Sequence, residues 1–536
     1  MQQKLFHFSL LILLSLAFVL TACASEPGSE EATSGDPQEE NSESSESTTS
    51  TDDDNKQLVI AVNSDATQLD PHEGADIPSA NVYHNKIYET LVIQDENMEF
   101  QPGLATDWDR IDDHTWEFTL REGVTFHDGE EFTAEAVKAS IDRILDEEVA
   151  SVRASLFEMV TEVEAVDDHT VRMTTEYPFS PLLSNLAHYA GGIISPKAIE
   201  ADYSGESALG QNPVGTGPFK FKSWETGSEI TLEKNPDHWT DRVQIDEVVF
   251  RVIPEASTRV SVVEAGEAHI AEPISSSHIS RVESSDNMHL LLSPGLGVDY
   301  IGFNTQKEPF DNMLVRQAIN YAINTEEIIE HIYSGVGLFA DGTMSSANIG
   351  YHPDIEGYGY DVEKAKGLLE EAGYPEGFET TLWTNDNQER MDVAEYVQAQ
   401  LTDVGIDVSI EVMEWGAYLD GTSTGDHDMF ILGWSNMTGD GDYNQWFLFH
   451  SDAKGAPGNR TFYANDEVDA LIDAARRESD PEKRVELYNE VQEIEMEEAP
   501  KVLIRHTEYV AAVRDGVEGF WLHPSRIMMI DDVTLP

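Results

Sequence analysis

Basic side chains are what this chain has least of for its length. Its 536 residues carry 32 lysines and arginines against 102 aspartates and glutamates, a formal net charge of -70. Phosphate would be repelled over most of such a surface, which argues against a nucleic-acid partner. There is one cysteine, so an internal disulfide is excluded. Long apolar runs are missing after the first twenty residues, so no later segment reads as a membrane span. The signatures of catalysis are also missing: no HExxH, no paired CxxC, no P-loop and no GxSxG turn. Neither an enzyme, nor a resident metal, nor a cofactor is therefore expected. Of the 17 histidines, only His127, His427 and His450 lie near turns of interest, and they read as turn or surface residues. Asp440-Gly441-Asp442-Tyr443-Asn444 imitates the start of a calcium loop. It has Gln445 where that loop needs glycine and Ser451 where it needs glutamate.

What remains is a folded composition long enough for two or three lobes. The acidic excess suits a salt-rich or alkaline medium, in which a charged surface stays hydrated while its self-repulsion is screened.

The N-terminus has its own logic. Lys4 precedes an apolar run from Phe8 to Leu20, about thirteen residues and too short for a comfortable span. The run ends in Leu20-Thr21-Ala22-Cys23, which resembles a bacterial lipobox. Cys23 is then the lipid-bearing residue, and residues 1–22 are a signal peptide. Residues 24–55 contain no lysine or arginine. Such a segment cannot bury enough apolar surface to order itself, and its like charges extend it. It reads as an acidic tether (23–55 with the acylated cysteine).

In the body, Leu58–Val62 reads as a buried strand, Val82–Leu91 as helical, and Thr115–Leu120 as a strand after the turn Asp112-Asp113-His114. Thr133 is placed to cap a helix with Val137, Ile141 and Ile144 on one face. A second unit at 165–175 repeats the turn as DDHTV. The Pro/Gly-dense segment 212–221 reads as a crossing between lobes, and Ile245–Ile253 as a central strand. Further on come a strand at Tyr300, a helix capped by Asp311, a helix capped by Asp361, and a helix opened by Asp480-Pro481. Two strands close the chain, Val502–Ile504 and Tyr509–Val513. Helices alternating with strands give an α/β fold in more than one lobe.

The stretch Asp428–His450 carries the chemistry. It starts as a strand, Met429–Leu432, and breaks at Gly433. A Gly/Asp turn follows, then the aromatic run Trp446, Phe447 and Phe449. Asp440 and Asp442 stand among Trp434, Tyr443 and Trp446, and acid in an aromatic wall suits a cationic, partly apolar ligand. Taken alone, the same stretch also fits a solvated turn leading into a core helix.

Seven motifs in order resemble the family 5 extracellular solute-binding proteins, the peptide-, glutathione- and nickel-binding lipoproteins of ABC importers. They are QLDPH (68–72), KIYETLV (86–92), the run from PGLATDW to WEFTLREGVTFHDGEEFTAEAV (102–137), ISPKA (194–198), NPVGTGPFKF (212–221), FNTQKEPFDNMLVRQAINYAI (303–323) and YDVEKAKGLLEEAGYP (360–375). GWSNMTGDGDYNQWFLFHS and GNRTFYANDEVDALI look most like the peptide and glutathione branch. The resemblance implies a two-lobed α/β fold of mixed sheets flanked by helices, hinged to close on ligand. Lobe I would take 56–97, 210–292 and 504–536, a smaller inserted domain 98–209, and lobe II 293–503.

It also implies a monomer, lipid-anchored at Cys23 on the outer face of the cell membrane, that captures peptides and delivers them to a permease and ATPase. A nickel or metallophore receptor is the alternative. The family's amine-binding aspartate maps to Asp442 through Asp442-Tyr443-Asn444, with Asp440 in reserve. Gly433 and Trp434 supply wall and backbone edge, and Ile77-Pro78 the first-lobe edge that pairs with the peptide. A cation for the ligand carboxylate is expected, with Arg390, Arg460 and Arg505 as candidates.

Overall fold

A computed structural model describes residues 56–536. The apolar run, Cys23 with its lipobox, and the acidic tether lie outside the described residues.

One mixed sheet of ten strands runs through the molecule. In one wing the strand Gln57–Val62 lies between Glu247–Val252 and Ile270–Glu272, parallel to both. Its side chains alternate, Leu58 and Ile60 entering one core and Val59 and Ala61 the core on the opposite face. Both faces are covered, which is why the strand is continuously apolar. The other wing repeats this plan. Met429–Ser435 lies parallel to Glu379–Asn385 and antiparallel to Met288–Phe303. Met429 and Ile431 face one core, Phe430 and Leu432 the other.

Two wings with separate cores make two lobes. Joining them is the antiparallel pair of the two long strands Met288–Phe303 and Lys501–Arg514, whose register slips between Pro294 and Val298.

A separate four-stranded antiparallel sheet takes Ala105–Arg110, Thr115–Leu120, Thr170–Thr175 and Val160–Asp167 in that order. The helix Ala134–Leu145 closes its core. Both DDHT turns belong to this sheet. In each, the first aspartate accepts from the histidine N–H at 2.9 Å, Asp112 from His114 and Asp167 from His169. This side-chain mimic of a backbone turn explains why the tetrad recurs.

Several expectations need correction. Val82–Leu91 is not a helix. The helix is Ile77–Tyr83, opened by Asp76, whose carboxylate accepts from Ser79 N–H at 2.8 Å. The chain leaves it through Asn85 at φ 54°. Beyond that point, a Cβ at Gly215 or Gly217 would lie 2.0 Å from the Ile87 carbonyl oxygen and 2.2 Å from that of Lys86. Segment 84–91 is thus buried by a tight chain crossing, not by a helical face.

Asn312, not Asp311, caps the helix Met313–Ala322. Thr133 occupies the N-cap position, but its side chain makes no capping bond. The strand expected at Tyr300 begins at Met288, and the two closing strands are one, Lys501–Arg514. The four residues between them, 505–508, stay in the strand where it passes from one core to the next.

Candidate functional site

The strand Met429–Ser435 does not break at Gly433. That residue pairs with Asp299 of the neighbouring long strand. A Cβ there would meet Asp299 Oδ1 at 2.6 Å, and Asp299 holds Arg505 Nε at 2.8 Å. Glycine leaves room for the Asp299 carboxylate, and Arg505, on the long strand at the other side of Asp299, is committed to it. On the opposite side the ladder to Glu379–Asn385 covers only Met429 and Phe430. The backbone at Gly433–Ser435 is therefore an open edge at the carboxyl end of a parallel pair, where α/β sheets place their ligands.

The turn that follows is built by Asn436. Its Oδ1 accepts from the N–H groups of Thr438 (3.0 Å) and Gly439 (2.9 Å), and its Nδ2 donates to Asp440 O at 2.7 Å. Asp440 then caps the helix Gly441–Phe449, accepting from Asp442 N–H at 2.8 Å. It is 1% exposed. Arg484 grips it with two bonds of 2.7 and 2.5 Å, and Ser184 Oγ donates to it at 3.0 Å. Every part of Asp440 is in use, so its role here is to hold the helix and the lobe junction.

Asp442, half a turn further, differs. It is 7% exposed. Its Oδ1 lies 2.9 Å from Arg476 Nε, yet neither atom has an aligned hydrogen bond. Contact by distance and pairing by direction disagree, and direction decides hydrogen-bond strength. Burial pushes the Asp442 carboxyl up to about 6, against the pull of Arg476. The Arg476 guanidinium spends its face on the Trp446 ring, 4.0 Å away, and Trp446 stacks on His450 at 3.9 Å.

Trp434 lies 5.5 Å from Tyr443 and 6.0 Å from Phe447. Trp434 Nε1 and both amide atoms of Asn444 are buried without a partner. Such groups are uncommon, and each costs about 1–3 kcal/mol until it is satisfied. Here they lie on one strand and the helix that follows it.

The same turn meets the rest of the molecule. Tyr443 packs against the small sheet's core, and Gln94 Nε2 donates to Thr438 O at 3.3 Å. Ile77 opens a helix instead of lying in an extended edge. Its side chain lines a cavity of about 330 Å³ with Asp65, Phe250, Glu272 and Arg526, where Arg526 Nε lies 2.7 Å from Glu272. Asp442 is not part of that lining.

Arg390 Nη1 donates to Asn385 Oδ1 at 3.0 Å at the end of Glu379–Asn385, beside Trp415. Arg460 holds Leu419 O and Thr422 Oγ1 at 2.5 and 2.7 Å, which ties it to the helix Trp415–Thr424. Sequence reading missed Arg476 and Arg484, because nothing local marks a cation that reaches an acid more than thirty positions away. His427 and His450 lie at turns, as expected, but are buried and not at the surface. Among the described residues no group of three His, Cys, Asp or Glu side chains is placed to hold a metal, and no helix is long and apolar enough to cross a membrane.

The sequence profile of the bacterial extracellular solute-binding proteins, family 5, middle region, matches residues 99–456. The glutathione-binding protein GsiB of Salmonella typhi is 34% identical over 489 residues, covering 90% of this chain and 94% of that protein. HbpA2 of Haemophilus parasuis is similar in structure with a TM-score of 0.83 at 29% identity, over 90% of this chain and 100% of that one. The ABC transporter-associated periplasmic binding protein DppA of Helicobacter pylori, solved with the peptide STSA, has a TM-score of 0.74 at 34% identity, over 89% and 98%.

Proposed function

This chain belongs to the family 5 bacterial extracellular solute-binding proteins, and we propose that it captures peptides, glutathione among them, between its two lobes for an ABC importer. It is a carrier and not an enzyme. The observation that carries the reading is the Asp442 carboxylate, buried at 7% exposure with Oδ1 lacking an aligned donor. A peptide ammonium supplies that donor as a charge-assisted bond. Trp446, packed on the Arg476 guanidinium that faces Asp442, excludes water there and strengthens the pair. The open backbone at Gly433–Ser435 binds an extended peptide by strand addition, which gives affinity without reading sequence. Asn444, with both amide atoms unpartnered, is a further polar contact.

Closure is favoured with ligand bound, because a closed site without it keeps an ionised carboxylate poorly paired. We place the hinge at Pro294–Val298 opposite His506–Glu508, where the paired long strands slip. That divides lobe I from lobe II near residues 293 and 503, with 98–209 as the inserted domain. Cys23 carries the lipid, the acidic tether lifts a monomeric body from the outer membrane face, and the permease and its ATPase take the ligand from there.

Mass spectrometry of ligand that co-purifies with the protein, followed by calorimetry with glutathione and the tetrapeptide Ser-Thr-Ser-Ala, tests this. The expected result is binding without turnover, lost when the ligand's amine is acetylated. Absence of binding to every peptide tried would overturn it.

A further inference from the structure

The slip between the two long strands leaves Gly295, Leu296 and Gly297 outside the ladder that joins Met288–Phe303 to Lys501–Arg514. Backbone groups freed in a buried segment need other partners. Thr507 fills the slip from the opposite strand. Its Oγ1 accepts from Gly297 N–H at 3.1 Å, and a Cβ at Gly295 or Gly297 would stand 2.5 or 2.8 Å from that atom.

Between the two glycines, Leu296 divides its peptide groups. Its N–H donates to Pro524 O at 3.1 Å, in the C-terminal stretch assigned to lobe I. Its carbonyl accepts from Asn348 Nδ2 at 3.4 Å, and the Gly295 carbonyl accepts from Ser345 Oγ at 2.6 Å. Both of those donors belong to the stretch assigned to lobe II. At Leu296 the hydrogen bonds of the hinge strand change hands from one lobe to the other.

Asn348 also reaches the ligand turn. Its Oδ1 accepts from Asn436 Nδ2 at 2.7 Å, and the same nitrogen of Asn436 holds Asp440 O at 2.7 Å. Next to it, Ile349 N–H donates to Gly439 O and Gly441 N–H to Ile349 O, each at 2.8 Å. Segment 345–349 therefore touches the hinge at one end and the turn before Asp442 at the other. Ser345, Asn348, Asn436 and Asp440 are all buried, so bulk water does not compete for these bonds. An amide suits the middle position because it carries a donor and an acceptor on one rigid plane. Asn348 uses both, with Nδ2 also donating to Ser345 O at 3.2 Å.

We propose that Asn348 is a positioning residue that couples the ligand turn to the hinge, so that a ligand ordering Asn436–Asp442 also biases the slip at Gly295–Gly297 toward the closed arrangement. This rests on the peptide reading and the hinge placed above. Coupling of this kind needs a two-state element that both ends of the link bias, and the hinge is that element. Asn348 makes no hydrogen bond to Asp442 or to the open edge at Gly433–Ser435. Its effect on binding passes through Asn436 and the hinge.

Calorimetry with glutathione and Ser-Thr-Ser-Ala, paired with small-angle scattering of the free and ligand-saturated protein, tests this. Wild type should contract on saturation. Asn348→Ala cuts the link at its centre. Ser345→Ala removes only the bond to Gly295 O and serves if the first variant fails to fold. Each should bind about five- to tenfold more weakly and, when saturated, contract less than wild type. A role confined to stability would lower the melting temperature and leave contraction complete. Unchanged affinity or full contraction in the folded variants overturns the proposal and leaves peptide capture standing, as does a wild type that binds without contracting. A wild type that binds neither peptide overturns peptide capture, and this proposal with it.

Discussion

Asp442 Oδ1 stands 2.9 Å from Arg476 Nε, near enough for an ion pair, but the N–H is not directed along that line. The carboxylate is thus neutralised in part and hydrogen-bonded poorly. That combination suits an acid waiting for a better donor.

Replacing Asp442 with alanine should weaken peptide binding by about 2–4 kcal/mol, roughly 30- to 1,000-fold. The fold should survive, since no aligned bond of Oδ1 is lost. Calorimetry and a melting curve on the same sample check both parts. Unchanged affinity would remove Asp442 from the site.

The pH dependence has two opposite signs. The Asp442 carboxyl sits at about 6 in the ligand-free protein because burial outweighs Arg476. An ammonium prefers the ionised form, so affinity should hold above about 6 and fall as pH drops through that value. Ligand-free stability runs the other way. The folded value lies above the ordinary 3.8, so ionisation costs stability; the cost is complete above about 6 and is relieved as pH falls toward 3.8. Titrations and denaturation curves across this window should show both trends in wild type, and neither contribution in Asp442→Asn.

Arg484→Met should be far more damaging to the fold than any change at Asp442. It strands Asp440, a 1% exposed carboxylate, without its two-bond partner. Breaking such a pair from one side costs about 3–5 kcal/mol. Chemical denaturation of the variant measures it, and a loss under 1 kcal/mol would mean that Asp440 finds another cation or a proton.

Gly433→Ala should separate strand from site. Its Cβ would lie 2.6 Å from Asp299 Oδ1, so the Asp299–Arg505 pair must shift. The expected cost is about 1–3 kcal/mol, with weaker ligand binding because the open edge moves. Gly439→Ala makes the companion case, as that glycine has φ 73° and packs on Met98.

The net charge of -70 should make stability climb with salt. Screening contracts from about 10 Å at 0.1 M to about 3 Å at 1 M, which relieves like-charge repulsion across the surface. Melting temperatures over a sodium chloride series check this; a flat series would disconnect the acidic surface from salt.

Much of the architecture was legible because it rests on short-range pattern. The apolar runs Leu58–Val62 and Met429–Leu432, the DDHT turns, and the caps at Asp361 and Asp480 are all local signals. The site was half legible for the same reason. Its strand, turn and aromatic helix are contiguous, so Asp440 and Asp442 could be named, and only the family resemblance ranked Asp442 ahead of Asp440. What separates them is Arg484 against Arg476, two cations one helix apart whose reach depends on how two helices pack. Ile77 shows the reverse error, an extended edge inferred where Asp76 and Pro78 start a helix.

The first lobe's core also draws on the end of the chain. Ala511, Val513, Leu522, Ile527, Met528, Ile530 and Val533 pack with Leu58, Ile60 and Tyr83, while the second lobe's core takes its last residues, Val502 and Ile504, from the start of the same strand. A growing chain can therefore complete its second lobe before its first. Gln57–Val62, the first strand among the described residues, cannot close its core until residues 511–533 have been made.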